Sequence, residues 1–285
     1  MATARTLTVL AVGSSLLLGC GEPMRGPEGS ALRIVAVAPS IVEILYELGQ
    51  GDDLVGVGDH CEWPPEVATK PRVGGLLDPR LERIAVLEPD LAILLPSEQA
   101  LAGSLASLGI EVLIAPAETI EDIEVAITTI AERTGAGTAG ERMLEELRRS
   151  LTPKPVAEGL EVLLVVGRQA GRLTEIYAAA EGTFLNDLVS RLGAVNVLAD
   201  SRLRYPRVGL EEIVARSPKV VVELQPQILG EKARQELVAD WRRDMPGPVP
   251  CVMVVEGSHV LLPGPRLGML YRQLGEALVA CGEVG

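Results

Sequence analysis

Short runs of apolar residues alternate along the chain with longer segments that are apolar on one helical face and polar on the other. The apolar runs are rich in Val, Ile and Leu and do not alternate with polar residues. Strands that are apolar on both faces are typical of parallel sheets covered by helices. We therefore predict an α/β protein. The predicted strands are 33–38, 54–58, 91–95, 112–115, 161–166, 220–224 and 249–255.

The order of these elements repeats. Residues 80–94 and 209–223 each contain a short amphipathic segment that begins with Leu-Glu, a proline and then an apolar run, and Pro-Arg-Val-Gly precedes both. Farther upstream, 40–49 and 183–193 each carry an apolar helix face that ends in glycine, as helix C-caps often do. The repeat predicts two related α/β lobes, at 32–118 and 156–285, with a longer insert around 60–66 in the first.

A helical connection is predicted between the lobes, at 119–155. Its pattern favours one helix at 119–132 and another at 138–150, separated by Gly135-Ala136-Gly137 and ended by Pro153 and Pro155. Because α/β sheets bind ligands beyond the carboxyl ends of their strands, we expect a ligand site in the crevice there.

The N-terminus predicts export. The apolar run 7–18 is too short to span a membrane and has the layout of a signal peptide. It ends in Leu-Leu-Gly-Cys, which resembles the lipobox of bacterial lipoproteins, so we expect cleavage before Cys20 and lipidation of its thiol. Residues 1–20 are then the signal, and the Gly- and Pro-containing 21–31 are a flexible tether. An ordinary signal peptide that happens to contain a cysteine is the alternative.

The net charge and the missing catalytic motifs exclude several classes of function. The net charge of −13 argues against a nucleic-acid partner, which needs clustered Lys and Arg. The phosphate-loop, nucleophile-elbow and zinc-protease motifs are missing, and His60 and His259 are the only histidines. We therefore predict no enzyme, no catalytic residue, no cofactor and no resident metal.

Four cysteines remain to be assigned. With Cys20 lipidated, an exported protein can form a disulfide among the other three. Cys251 and Cys281 fall on a predicted strand and the predicted last helix of the second lobe, so we predict that they pair and that Cys61 stays free.

From residue 31 onward the chain resembles the cobalamin- and iron-complex-binding family of periplasmic receptors, most closely its cobalamin-binding branch. The motifs that carry the resemblance are Ala38-Pro39-Ser40, Trp63-Pro64-Pro65-Glu66, Pro71-Arg72-Val73-Gly74-Gly75, Pro89-Asp90-Leu91, Gly182-Thr183-Phe184-Leu185, Gly193-Ala194-Val195-Asn196-Val197 and Pro263-Gly264-Pro265-Arg266.

The resemblance implies two Rossmann-like lobes joined by a single long helix, with the ligand held in a cleft between them. It implies an extracytoplasmic, lipid-anchored solute-binding protein of an ABC importer, on the periplasmic or cell-surface side, that delivers a corrinoid or related metal chelate to an inner-membrane permease. Family members dock on the permease through one acidic residue per lobe, and Glu82 and Glu211 match those positions. The alternative is that each glutamate only complements the dipole of the helix it begins.

The strand-end rule and the resemblance together predict the ligand-binding residues. They are Pro39, Ser40, His60, Cys61, Trp63, Leu76 and Leu77 in the first lobe, and Arg168, Tyr177 and His259 in the second. His60 and His259 would ligate a ligand metal or, alternatively, bond polar side groups. Arg168 or Arg204 would bind a carboxylate or phosphate, or be solvated surface residues.

Other functions stay open on sequence grounds. A haem or siderophore receptor predicts a more basic cleft, and few Lys or Arg fall on the expected loops. A chelatase-like enzyme would need His60 or His259 as its base, and the export signal argues against it. A ligand sensor has the same sequence pattern as a transport receptor.

Overall fold

The first lobe is built on one parallel sheet. The computed structural model describes residues 32–169 and 171–282; the predicted signal peptide, Cys20 and the tether lie outside them. The strands β1 (Ile34–Ala36), β2 (Leu54–Val57), β3 (Leu91–Leu94) and β4 (Glu111–Ile114) are ordered β2-β1-β3-β4. Between them lie α1 (Pro39–Glu47), α2 (Leu81–Val86) and α3 (Gln99–Ser107). The parallel register places Ile34 beside Leu91 and Leu91 beside Glu111.

Two helices connect the lobes. They are α4 (Ile120–Arg133) and α5 (Gly137–Ser150), which agrees with the residue pattern. The single long helix implied by the family resemblance is wrong in this detail, because Gly135 adopts a left-handed conformation (φ 72°) and reverses the chain. Thr119 caps α4 by accepting a hydrogen bond from the backbone N–H of Asp122 at 3.1 Å.

The second lobe has a mixed sheet. Its strands are β5 (Glu161–Gly167), β6 (Ile176–Ala179), β7 (Val195–Asn196), β8 (Arg207–Val208), β9 (Val220–Gln225) and β10 (Cys251–Glu256), with α6 (Phe184–Arg191), α7 (Leu210–Arg216), α8 (Glu231–Asp244) and α9 (Leu267–Gly282). The order is β10-β9-β5-β6-β8, and β7 also pairs with β5. The β6 pairings are antiparallel. The pattern predicted β5, β9 and β10 and missed the short β6, β7 and β8.

The internal repeat is confirmed as repeated structure. Helix α2 followed by β3 in the first lobe corresponds to α7 followed by β9 in the second. Helices α1 and α6 also correspond, and the glycine after each, Gly49 and Gly193, is left-handed with φ of 77° and 82°. These glycines end the helices because other residues are strained in that conformation.

The two lobes share a hydrophobic core. One continuous cluster of buried side chains runs from β1 and α1 through α4 and α5 to β5, β9 and α9. Two smaller clusters cover the outer faces of the two sheets. Separating the lobes would expose the common cluster to water, which opposes a large opening motion.

Backbone contacts and a disulfide add local restraints. Asp187 of α6 accepts a hydrogen bond from Ile120 N–H at 3.0 Å, and Phe184 N–H donates to the Glu118 carbonyl at 2.6 Å. Cys251 and Cys281 form a disulfide that joins β10 to α9, with Cα atoms 5.8 Å apart. Within the described residues, no helix is long and apolar enough to cross a membrane.

Candidate functional site: a cleft between the lobes

A small, partly enclosed pocket of about 150 Å³, which we call the enclosed pocket, lies where the two lobes meet. The first lobe contributes the segment that follows β3, and the second contributes residues from α6 and from the loops before β8 and after β10. The pocket is therefore at the carboxyl ends of β3 and β10, where α/β sheets place ligands. Its lining residues are Leu95, Pro96, Ser97, Ala117, Glu118, Phe184, Tyr205, Leu261 and Pro263.

Arg266 links the two lobes and lines a separate pocket between α1, α5 and α9. Its Nε donates to Glu43 Oε2 at 2.9 Å and its second terminal nitrogen donates to Glu43 Oε1, so the guanidinium grips the carboxylate in a two-pronged contact. Glu43 belongs to α1 in the first lobe, whereas Arg266 precedes α9 in the second. The remaining nitrogen donates to the Ser258 hydroxyl at 3.0 Å. The pair therefore links the two lobes directly.

Burial strengthens that contact. The Glu43 side chain is 3% exposed and that of Arg266 is 14% exposed. Burial raises the pKa of Glu43 above its usual value, although the hydrogen bond and positive charge of Arg266 pull it down. Losing either partner would leave a charge in a poorly solvated place.

Trp63 covers the same arginine. The guanidinium carbon of Arg266 lies 5.3 Å from the centroid of the Trp63 indole, within cation–π range. The indole is still 44% exposed. One aromatic surface in the first lobe is thus positioned by an arginine of the second while much of it stays open to solvent.

The rim of the first lobe consists of two packed loops, 58–63 and 74–80. Asp59 N–H donates to the Gly74 carbonyl at 2.9 Å, and a Cβ at Gly75 would lie 3.8 Å from His60 Nε2. His60 and Trp63 on one loop, and Leu76 and Leu77 on the other, are all exposed. These four predicted ligand residues are available to a bound molecule, although none of them lines the enclosed pocket.

A second, more polar pocket adjoins the first. It measures about 580 Å³ and shares Glu118 and Tyr205 with the enclosed pocket. Burial, followed by the negative charge of Glu118, raises the pKa of Tyr205 to about 12, so its hydroxyl stays protonated and can donate a hydrogen bond. The other lining residues are Glu181, Gly182, Ser201, Arg202, Leu203 and Arg204.

Pro39 and Ser40 lie at the lobe junction. They begin α1, and Ser40 is 3% exposed. A Cβ at Gly264 would lie 3.7 Å from Ser40, so the loop after β10 packs directly against the start of α1. In this conformation the second lobe, and not solvent, covers Ser40.

Cys61 does not face the cleft, which corrects its assignment as a ligand residue. Its side chain is 1% exposed in the common core, and its thiol is 3.6 Å from the Val37 carbonyl. Burial raises the pKa of the thiol to about 12, so it is neither nucleophilic nor a metal ligand. It packs as a small apolar residue.

His259 is also corrected. The ring is 6% exposed, its Nε2 lies 2.7 Å from Gln273 Oε1, and its other nitrogen is packed against Gly257. Burial lowers the pKa of His259, and the positive charge of Arg266 acts in the same direction, against the hydrogen bond to Gln273. Neither nitrogen is directed at a ligand, so axial ligation by this histidine is wrong for this conformation.

Arg168 has a structural role instead of a ligand-binding one. Its side chain is 1% exposed; Nε donates to Glu223 at 2.6 Å and a terminal nitrogen donates to Asp240 at 2.9 Å. Glu223 also accepts from the Trp241 indole at 2.7 Å. The guanidinium is fully engaged inside the second lobe because two buried carboxylates need a cation.

Tyr177 was predicted to bind the ligand, but the tyrosine that lines the pockets is Tyr205. Tyr177, on β6, is 45% exposed and lines neither pocket, whereas Tyr205, which was not predicted, lines both. Arg266 was also missed as a site residue. Tyr205 directly precedes the second copy of the repeated Pro-Arg-Val-Gly, and Arg266 is the last residue of Pro-Gly-Pro-Arg. The sequence therefore marked both motifs, but it did not indicate what these two side chains do.

Glu82 and Glu211 occupy equivalent positions. Each lies in the first turn of its helix, α2 or α7, and each is exposed. Neither forms an ion pair with another described residue, whereas the neighbouring Glu212 pairs with Arg216 at 3.0 Å. The two carboxylates are therefore free to meet a basic partner.

A larger cavity lies elsewhere. It measures about 1070 Å³ and is lined by Pro218, Val249 and the Cys251–Cys281 disulfide, at the amino ends of β9 and β10. This end is opposite to the cleft, so the cavity is not part of the site. Across the described part of the chain, no three His, Cys, Asp or Glu side chains are grouped to hold a metal ion.

The comparisons with known proteins agree with this geometry. The sequence model of a family described as Periplasmic binding protein matches residues 34–240. The chain is 29% identical over 196 residues to a protein named vitamin B12-binding protein in Vibrio cholerae serotype O1, covering 67% of this chain and 70% of that protein. It is 26% identical over 262 residues to the protein of the same name in Pectobacterium carotovorum, covering 87% and 88%.

Solved structures share the fold. A periplasmic haem-binding protein, RhuT, from Roseiflexus sp. RS-1 superimposes with a TM-score of 0.73 at 21% identity, covering 88% of this chain and 99% of that one. The periplasmic vitamin B12-binding protein BtuF of Vibrio cholerae gives 0.70 at 23% identity, covering 89% and 98%. The two-lobed architecture is thus common to proteins that carry different ligands.

Proposed function

The chain belongs to the periplasmic binding protein family, and from that premise we propose that it is the solute-binding lipoprotein of an ABC importer that captures a corrinoid or related metal chelate. Its action is capture and delivery, with no chemical step. The observation that carries the proposal is the cleft between the lobes, which residues of both lobes line, together with the Arg266–Glu43 ion pair that joins the lobes.

The shape of the site supports a bulky ligand. The enclosed pocket is small, but it shares Glu118 and Tyr205 with the polar pocket of about 580 Å³, and the rim residues Trp63, Leu76 and Leu77 are exposed. A flat macrocycle could lay its apolar faces on these side chains while its edges reach the polar pocket. The shared core supports a largely preformed cleft.

A titration tests the proposal. The full-length protein in mild detergent would be titrated with cobalamin, cobinamide, haem and a ferric siderophore, with heat and visible absorption recorded. We expect a corrinoid dissociation constant below about 1 μM, or a binding free energy beyond about −8 kcal/mol. Absence of corrinoid binding would refute the proposed ligand class.

A haem receptor is the second candidate. Exposed His60 at the rim favours it, because a neutral imidazole can ligate haem iron. The same titration separates the candidates: if His60 ligates the metal, binding shifts the haem Soret band and His60→Ala abolishes the shift. An unchanged spectrum in His60→Ala would exclude ligation by this residue.

We also propose that Glu82 and Glu211 dock on the permease. Their equivalent positions, exposure and lack of ion pairs support this role, since carboxylates at a fixed separation can set the register on a basic surface. Replacing both with Gln should weaken permease binding at least about tenfold, whereas Glu212→Gln, the matched neighbour, should leave it unchanged. Equal effects of the two changes would refute the docking role.

The lipid anchor is part of the proposal. Leu-Leu-Gly-Cys ahead of the mature lobes supports lipidation of Cys20 and a location on the outer side of the inner membrane or at the cell surface. In cells fed labelled palmitate, wild type should incorporate label and Cys20→Ser should not. Label retained by Cys20→Ser would contradict the assignment.

A further inference from the structure

The Pro-Arg-Val-Gly motif occurs once in each lobe, and its two arginines lie in different surroundings. The side chain of Arg207, in the second lobe, is 62% exposed and lies 3.8 Å from the exposed Glu175. Arg72, in the first lobe, is partly buried, and its guanidinium is directed at the backbone of the rim loop 58–63. The first copy of the motif therefore contacts the longer insert predicted around 60–66.

One nitrogen of Arg72 holds both ends of a turn in that loop. The backbone N–H of Cys61 donates to the Gly58 carbonyl at 3.2 Å, which makes 58–61 a β-turn. Arg72 Nη1 donates to the same Gly58 carbonyl and to the Cys61 carbonyl, each at 2.7 Å. Hydrogen bonds from a charged donor are stronger than neutral ones, so a single cation restrains the first and last residues of the turn.

Both the motif and the turn are anchored to the first sheet. Val57, the last residue of β2, donates its N–H to the Pro71 carbonyl at 2.9 Å and accepts from the Val73 N–H at 3.0 Å. A Cβ at Gly58 would lie 2.0 Å from the Val37 carbonyl oxygen, so the start of the turn packs directly on the backbone that follows β1. The arginine therefore reaches the turn from a fixed backbone.

The exposed residues of this loop are candidate ligand contacts. His60 lies in the centre of the turn, and Trp63 follows the turn by two residues. The Trp63 indole is also contacted from the second lobe by Arg266, at 5.3 Å from the ring centroid. Arg72 thus restrains the loop through its backbone and Arg266 restrains it through a side chain. A loop that is ordered beforehand lowers the entropic cost of binding.

We propose that Arg72 is a positioning residue for ligand binding, which holds the turn 58–61 so that His60 and Trp63 are presented to the ligand before it arrives. Without Arg72 the turn loses its charged donor and samples other conformations, so the binding-competent loop becomes a smaller fraction of the population and the apparent affinity falls. This inference rests on the proposed function, and it assigns to the first copy of the motif a role that the exposed Arg207 does not share.

Hydrogen–deuterium exchange of the ligand-free, full-length protein tests the positioning. Arg72→Met should speed exchange of the hydrogen-bonded amides of Asp59 and Cys61 at least about fivefold and leave β1 and β3 unchanged, because the loss is local. Arg207→Met, at the equivalent position, should leave both loop amides unchanged. Unchanged loop exchange in Arg72→Met would overturn the positioning role, and so would equal acceleration in β1 and β3, which indicates a general loss of stability.

A cobinamide titration tests the consequence for binding. Arg72→Met should weaken binding at least about fivefold, and Arg72→Lys, whose ammonium can donate to both carbonyls, should restore it to within about twofold of wild type. Arg207→Met should bind like wild type. If Arg72→Met does not fold, Arg72→Gln, with its shorter and neutral side chain, replaces it with the same expectations.

The two measurements separate this inference from the proposed function. Normal cobinamide binding by Arg72→Met despite a loosened turn overturns this inference alone. Absence of cobinamide binding by wild type overturns the proposed ligand class and this inference with it.

Discussion

Two arginines of this protein are buried against carboxylates, and they hold together different parts of the molecule. Arg168 joins β5 to β9 and α8 within the second lobe through Glu223 and Asp240. Arg266 joins the second lobe to the first through Glu43. Each arginine neutralises a buried carboxylate. Only the Arg266 pair lies at the boundary between the two lobes, where we propose that the ligand binds.

The difference concerns what each ion pair controls. The Arg168 network lies inside one lobe and joins only elements of that lobe. Arg266 positions Trp63 and fixes how far apart the lobes stand. Similar chemistry therefore contributes to folding stability in one place and to the geometry of the binding site in the other.

Removing Arg168 should have the largest effect on stability. Arg168→Met leaves Glu223 and Asp240 buried without a cation, so we expect a loss of about 3–5 kcal/mol in the free energy of unfolding. Urea unfolding followed by circular dichroism would measure it. Arg172→Met, at an exposed neighbouring arginine, should change the value by less than about 0.5 kcal/mol. A loss below about 1 kcal/mol for Arg168→Met would contradict the structural role.

Removing Arg266 should affect stability less and binding more. Arg266→Gln should lower the free energy of unfolding by about 2 kcal/mol, because the lost hydrogen bonds involve a charged group. It should also weaken ligand binding, which Arg168→Met should not do in the folded fraction. A double-mutant cycle with Glu43→Gln should give a coupling energy of about 1–3 kcal/mol. Coupling near zero would show that the pair does not hold the lobes.

Tyr205 and Tyr177 should differ in their effect on ligand binding. Tyr205→Ala removes a ring that lines both pockets, so ligand affinity should fall about tenfold, or about 1.4 kcal/mol. Tyr177→Ala removes an exposed ring that lines neither and should leave affinity unchanged. Titration calorimetry with the same ligand would measure both. A larger effect at Tyr177 would place the binding site at β6 instead of at these pockets.

The smallest expected effect is a pH dependence from His259. Its pKa is lowered in the folded state, mainly by burial, so the unfolded chain binds the proton more readily. Stability from this group is complete above the ordinary histidine pKa of about 6.5 and is lost as pH falls below it, by at most about 1.4 kcal/mol per pH unit. His259→Gln should flatten the unfolding free energy between pH 7 and 5. An unchanged slope would contradict the assignment.

Most of the fold could be predicted from the sequence because the central strands carry strong local signals. Runs such as 91–95 are uniformly apolar, and the glycines after α1 and α6 mark helix ends in both halves of the repeat. The short β7 and β8 have two residues each and hold no periodicity to detect. They form because neighbouring strands offer hydrogen-bonding partners.

The site was less predictable because side-chain direction depends on contacts distant in sequence. The strand ends correctly identified the loops that reach the cleft. Three side chains predicted there nevertheless point into the core and form hydrogen bonds inside it: Cys61 with Val37, Arg168 with Glu223 and His259 with Gln273. Glu43 in an otherwise apolar helix face was the available sign of a buried ion pair. Its partner, 223 positions away, could not be found without the fold.

Hydrogen–deuterium exchange with and without cobinamide tests most directly whether the ligand is held between the lobes. We expect simultaneous protection of the rim loops 58–63 and 74–80 in the first lobe and of 201–205 in the second. Protection confined to one lobe, or centred on the cavity at Pro218 and Val249, would contradict it.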